Sequence, residues 1–281
     1  MKLAFVGKGG SGKSSLSWLA ALVLRENGTR TLLVDADHNM DLAHGYGVTV
    51  DDTTPTLHRA HDAFRVAVGQ REDTRWSDII LDNRTLPSFT LSPKDPFTAS
   101  VARALNDTTD LIIVGLGAED VLFSGRCAHG HSAPLKYYLP LLTLRPHEAC
   151  IIDGVAGVDM MNFGLFNGAD AIVVAVEDHQ RSVRVFHEIA RIASHSGIPV
   201  FAALNKDTGT PLTVAAAISE HLVGRIGEDE GVRHGTASKV ATDTKAAMTA
   251  LLATTAARAT FGQGLERVRR FEMTRNLKRP A

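Results

Sequence analysis

Two lysines, Lys8 and Lys13, stand in one glycine-rich stretch, "VGKGGSGKSS", from Val6 to Ser15. Gly7, Gly12, Lys13 and Ser14 fit the spacing G-x-x-x-x-G-K-[ST] of a phosphate-binding loop. Glycines in such a loop let the backbone curl until its N–H groups face phosphate oxygens. Here Gly9, Gly10, Ser11, Gly12, Lys13, Ser14 and Ser15 would form that cradle. Lys13 would reach the β- and γ-oxygens, and the Ser14 hydroxyl would ligate Mg²⁺. This spacing leaves Lys8 without a role.

Polar residues that end apolar runs form the second group. Asp35 and Asp37 close one run in "VDADHN", Asp153 closes another in "IIDGVAG", and Asn205 with Lys206 closes a third in "ALNKD". A lone aspartate in such a place is most often a helix cap or a turn residue. Three such endings beside a phosphate loop converge instead on phosphate chemistry. Asp153 stands as a Walker B acid would, to hold Mg²⁺ or its water, and Gly157 would let a backbone N–H approach a γ-phosphate. A guanine-reading N-K-x-D pattern would need its acid at Thr208, whereas Asp207 comes one position early. Adenine is therefore the expected base, read by the side-chain amide of Asn205.

These residues need elements to position them. "KLAFV" (2–6) reads as a buried strand and "KSSLSWLAALVLRENG" (13–28) as a helix stopped at Gly28, so the loop lies between strand and helix. "TLLVDAD" (31–37), "LIIVGLG" (111–117), "ACIID" (149–153), "AIVVAVED" (171–178) and "VFAALNK" (200–206) are continuous apolar runs rather than alternating ones. That is the pattern of parallel strands buried on both faces. The spacing predicts an α/β fold, a mostly parallel sheet of about seven to eight strands flanked by helices. Ligands in such sheets sit at the carboxyl ends of the strands, where the polar residues lie. One domain spanning 1–281 is expected, with 51–110 a peripheral, partly helical region and 265–281 a basic C-terminal tail.

Composition narrows the function classes. A chain of 281 residues, 44% hydrophobic and 22% charged, can bury one sizeable core. A formal net charge of −1 gives no electrostatic reason to expect a nucleic-acid partner. The first strand begins at residue 2 and no apolar run approaches a membrane span, so a cytoplasmic protein without a membrane partner is expected. Cys127 and Cys150 cannot make a disulfide framework, and Cys150, inside an apolar strand, reads as core.

"GKGGSGKSS" resembles the deviant Walker A motif, K-G-G-x-G-K-[ST], of the MinD/ParA/nitrogenase-iron-protein/arsenite-pump class of dimeric P-loop ATPases. The resemblance implies a role for Lys8, because the matching lysine crosses a face-to-face homodimer and touches phosphates held by the other subunit, as an arginine finger does. It also implies that "DADHN" is a switch I, whose acid at Asp37 orients the attacking water and joins Ser14 and Asp153 around Mg²⁺. "DGVAG" resembles switch II, and "GRIGEDEGV" (224–232) loosely resembles the loop that completes the base pocket. The implied cofactors are ATP and Mg²⁺.

"SGRCAHGHSAPLKYYLPLL" (124–142), just ahead of the Asp153 strand, resembles the nickel-insertion ATPases of the CooC type, in which a Cys-x-Cys pair meets its symmetry mate and holds one metal ion between subunits. Cys127 keeps the first position, but His129 replaces the second cysteine and His131 follows. A thiolate and an imidazole from each subunit would give an S₂N₂ set suited to Zn²⁺ and open to Ni²⁺. The alternative is a packed thiol beside solvated loop histidines. A nitrogenase-type reductase would need a second cluster cysteine after switch II, and "GVAGVDMMNFGLFNG" has none. The expected function is a nucleotide-gated dimeric ATPase serving a client metalloenzyme. A ParA- or MinD-like positioning ATPase and a slow nucleotide-dependent scaffold are the alternatives.

Overall fold

Along β1 (Lys2–Gly7), Leu3 and Phe5 point to one face of a sheet and Ala4 and Val6 to the other, all fully buried. β2 (Arg30–Asp35) repeats this, with Leu33 on the first face and Leu32 and Val34 on the second. Period-two alternation with both faces apolar requires helices on both sides, and that is the architecture. The structure, a computed structural model, describes residues 1–37, 39–70, 74–82, 85–115, 133–158, 161, 164–209 and 211–277.

Among the described residues one eight-stranded sheet runs in the order β3-β4-β2-β5-β1-β6-β7-β8. The remaining strands are β3 (Ala102–Asn106), β4 (Thr109–Ile113), β5 (Glu148–Ala156), β6 (Ala171–Val176), β7 (Val200–Asp207) and β8 (Leu222–Gly227). Only the β3–β4 pairing at one edge is antiparallel. This is the P-loop NTPase fold. The functional strands β2, β5, β1, β6 and β7 all carry their carboxyl ends to one rim, as the apolar runs predicted.

Helix α1 (Lys13–Glu26) packs on the Leu3/Phe5 face through Leu16, Leu19 and Val23. It ends at Gly28, whose φ of 71° lets its N–H bond the Arg25 carbonyl at 2.9 Å. Short α2 (Asp41–Gly45) follows β2, and α9 (Thr242–Arg258) buries Met248 and Leu251 on the same face. On the opposite face lie α3 (His61–Ala67), α4 (Asp78–Leu81), α5 (Pro96–Val101), α6 (Ala133–Leu141) and α7 (Gln180–Ser194). One-turn α8 (Glu230–Arg233) follows β8, and α10 (Gly264–Leu277) closes the described chain.

Two expectations need correction. Residues 51–110 are partly helical but not peripheral: Leu57, Phe64, Ile79, Phe89 and Phe97 are core residues, with the Phe64 ring centroid 5.1 Å from that of Phe97 and 5.6 Å from that of Phe89. Their segment also supplies β3 and the first two residues of β4 to the sheet. The stretch 265–277 is not a tail either. Val268 is fully buried, and Arg267 Nη1 donates to the Ala169 carbonyl at 2.7 Å, pinning α10 to the body. Cys150 is core as read, and burial pushes its thiol up to about 12. No helix among the described residues is long and apolar enough to cross a membrane.

Candidate nucleotide site

The loop between β1 and α1 folds as its glycines require. Ser11 N–H donates to the Lys8 carbonyl at 3.0 Å, closing a turn in which Gly10 has φ 79°. Gly12 has φ 86°, and a Cβ there would stand 2.2 Å from Asn205 Nδ2, so both conformation and space exclude a side chain. Gly9 and Gly10 are exposed, Ser11 is buried, and Ser14 and Ser15 stand half-buried at the open first turn of α1. The unpaired N–H groups of that turn make it a site for anions.

Lys13, 7% exposed, lies at the centre, with Nζ 2.6 Å from Asp37 Oδ2. Burial works to lower its pKa, but Asp37, Asp153 and Asp41 together raise it, so the ammonium is firmly charged. Asp35 and Asp153 are register partners on β2 and β5, both fully buried. Burial pushes the Asp153 carboxyl up to about 7, opposed by the Ser14 hydroxyl and Lys13 and reinforced by Asp35 and Asp37. Burial likewise lifts Asp35 to about 7, although the Ala43 N–H bonds its Oδ2 at 2.9 Å.

Asp153 Oδ1 accepts from Ser17 Oγ at 3.4 Å, while its buried Oδ2 has no hydrogen-bond partner among the described residues. A buried carboxylate oxygen left open beside Ser14 and Asp37 is a hard oxygen donor set, and it fits Mg²⁺.

On the other side of the loop, a cavity of about 600 Å³ is walled by Gly12 and Ser15, by Asn205 and Lys206, and by residues 227–230 with Val232 and Arg233. Asp229 holds the third wall in shape, accepting from the Val232 and Ala241 N–H groups at 3.0 and 2.9 Å and from the Thr244 hydroxyl at 2.7 Å. Burial pushes the Asp229 pKa up, but these donors leave it below the usual carboxylate range.

Three predicted residues bond the phosphate loop itself. Asn205 Nδ2 donates to the Ser11 carbonyl at 2.8 Å, so one N–H of this amide braces the loop. Lys206 Nζ bonds the Gly10 carbonyl at 2.8 Å and Glu177 Oε1 at 2.7 Å. The Gly157 N–H, expected to face a γ-phosphate, donates to the Gly7 carbonyl at 2.8 Å, a bond that phosphate contact would have to exchange. Asp207 does point elsewhere, into a two-bond pair with Arg225. Half-buried Lys8 makes no side-chain hydrogen bond or ion pair with any described residue. Cys127, His129 and His131 lie outside the described residues.

The sequence matches the CobQ/CobB/MinD/ParA nucleotide binding domain over residues 3–234. The chain belongs to that family. It is an ATPase of this class, resembling the carbon monoxide dehydrogenase accessory protein CooC of Rhodospirillum rubrum at 24% identity over 83% of this chain and 86% of that protein. It resembles an uncharacterised ATP-binding protein of Methanocaldococcus jannaschii at 25% identity over 73% of this chain and 78% of that protein. The septum site-determining protein MinD of Pyrococcus horikoshii, solved with Mg-ADP, shares the fold: TM-score 0.55 at 18% identity over 89% of this chain and 94% of that one.

Within this family member, sequence reasoning passed over Glu177, which meets Lys206 just past the end of β6, and His179, which meets Glu177. The signal was present, since Glu177 closes an apolar run as Asp153 does.

Proposed function

We propose that this chain is a Mg²⁺-dependent ATPase that forms a homodimer on nucleotide binding, and that opening and closing of the dimer gates the maturation of a client enzyme's metal centre. Lys8 carries the dimer step: one lysine of the loop is engaged deep in the site, while the other stands on its outer limb without a partner among the described residues. A cation so placed suits phosphates presented by a second subunit. Adenine would enter the 600 Å³ cavity beside Asn205. Ser14, Asp37 and Asp153 would hold Mg²⁺, which when bound neutralises charge on the transferring phosphoryl group. Lys13 would hold the β- and γ-oxygens, and Asp37 would orient and polarise the attacking water.

The metallocentre step is supported by the similarity to CooC and by the Cys-x-His-x-His sequence, in which Cys127 and His129 of both subunits would receive Ni²⁺ or Zn²⁺ as cargo. The docking of α10 weighs against a free membrane-seeking tail of the kind a positioning ATPase would use. Metal analysis and light scattering with and without a non-hydrolysable ATP analogue test the proposal. The expected result is a nucleotide-driven dimer carrying one metal ion, lost in Cys127→Ser. A monomer under all conditions would overturn the gate, and a metal-free dimer would overturn the maturation role.

A further inference from the structure

Successive side chains of a strand point to opposite faces, so two neighbours at a strand end do not ordinarily reach one loop. Asn205 and Lys206 do. Lys206 has φ 55°, and this left-handed turn at the end of β7 aims its side chain the same way as that of Asn205. Asn205 then takes the Ser11 carbonyl and Lys206 takes the Gly10 carbonyl, each at 2.8 Å. Such a backbone is unfavourable for a side chain with a Cβ and persists only where its surroundings hold it.

What holds it is visible at the neighbouring strand end. Lys206 Nζ lies 2.7 Å from Glu177 Oε1, and Glu177 Oε2 lies 3.2 Å from His179 Nε2. His179 caps α7, its Nδ1 accepting the Ser182 N–H at 3.1 Å. That bond leaves Nε2 as the ring nitrogen that donates to Glu177. The Glu177 N–H in turn donates to Ser182 Oγ at 3.0 Å, so the start of α7 holds Glu177 by its backbone as well as by its carboxylate. Burial works to raise the Glu177 pKa, but Lys206 and His179 leave it below the usual carboxylate range.

We propose that Glu177 and Lys206 form a positioning clamp for the phosphate loop, with Lys206 acting through the Gly10 carbonyl and not through the nucleotide. Drawing the Gly10 and Ser11 carbonyls outward leaves the loop's N–H groups turned toward the phosphates. The turn so held is the one that begins at Lys8, so the clamp also sets where Lys8 stands. The Lys206 side chain is 43% exposed, and a surface pair of this kind adds little to stability. Its value is geometric. The inference rests on the phosphate-loop reading of Val6–Ser15.

The test measures ATP and GTP affinity by calorimetry for Glu177→Ala, Lys206→Ala, the double variant and Lys206→Arg, with thermal melts as the folding control. Each single alanine variant should weaken ATP binding about tenfold, and the double variant should be no weaker than Lys206→Ala, because the two residues act as one unit. Lys206→Arg should recover most of the loss. The ATP-over-GTP preference should not move, since the clamp acts on the phosphate side. A Glu177→Ala protein that binds as the parent does while Lys206→Ala loses affinity would overturn the clamp and make Lys206 a direct ligand. Additive losses or a changed base preference would overturn it as well. Lys13→Ala separates the two levels: ATP binding that survived this change would sink the phosphate-loop reading itself.

Discussion

Lys13 Nζ lies 2.6 Å from Asp37 Oδ2, and both side chains are almost wholly buried. The cation suited to the β- and γ-phosphates and the acid suited to the attacking water thus neutralise each other. Either role requires the pair to part. Phosphate oxygens would offer Lys13 a replacement anion, and Asp37 would then be released toward the water. On the proposed function, one ion pair would thereby couple nucleotide binding to the assembly of the hydrolytic site.

Asp37→Asn follows from this coupling. An amide holds Lys13 less firmly than a carboxylate, so ATP should bind at least as tightly as in the parent. It cannot polarise the water, so turnover should fall about a hundredfold or more. Calorimetry and phosphate release measure the two effects separately. Unchanged turnover would move water positioning to another group.

Lys8→Ala should separate binding from assembly. Its ammonium makes no bond with any described residue, so its removal should leave ATP affinity and the melting temperature of the monomer as they are. The nucleotide-driven dimer should be lost and hydrolysis slowed, as read by light scattering with a non-hydrolysable analogue. A fully dimeric, fully active variant would remove the trans role.

Stability should depend on pH through Asp35 and Asp153. Their pKa values rise from 3.8 to about 7 in the folded chain, chiefly through burial, so between those values the folded state holds protons that the unfolded state has released. The stabilisation is full below the unfolded pKa and is lost as pH rises through about 7. In Mg²⁺-free buffer the melting temperature should fall between about pH 4 and about pH 7 and level off above that, and Asp153→Asn should flatten that slope. An equal slope in the variant would assign the titration to other groups.

The phosphate loop was legible because its chemistry is contiguous: Gly7, Gly12, Lys13 and Ser14 carry their spacing in the sequence. The strands were legible because both of their faces are buried. Phe64, Phe89 and Phe97 were not seen as core, since polar stretches separate them and only tertiary packing brings their rings together. The left-handed backbone of Lys206 leaves no mark in "ALNKD", so its reach to Gly10 could not be read. Arg267 and Glu272 lie in the stretch that reads as a basic tail, because their partners, the Ala169 carbonyl and Lys136, lie far away in sequence.

Glu272 tests whether α10 is part of the body or an appendage. It is 2% exposed, accepts the Tyr137 hydroxyl at 2.9 Å and pairs with Lys136 Nζ, which also lies over the Phe271 ring at 4.5 Å. Removing Glu272 takes from Lys136 and from the Tyr137 hydroxyl the buried carboxylate that both contact, and breaking a buried ion pair costs about 3 kcal/mol. Glu272→Ala should therefore lower stability by about that amount in urea unfolding, whereas a surface glutamate would change it by less than about 0.5 kcal/mol. Replacing both members, as in Lys136→Met with Glu272→Leu, should recover most of the loss, because an apolar pair of similar volume needs no compensation. If Glu272→Ala unfolds with the parent's midpoint, α10 is not docked through this pair. If the double replacement is no better than the single one, the loss lies in packing rather than in charge.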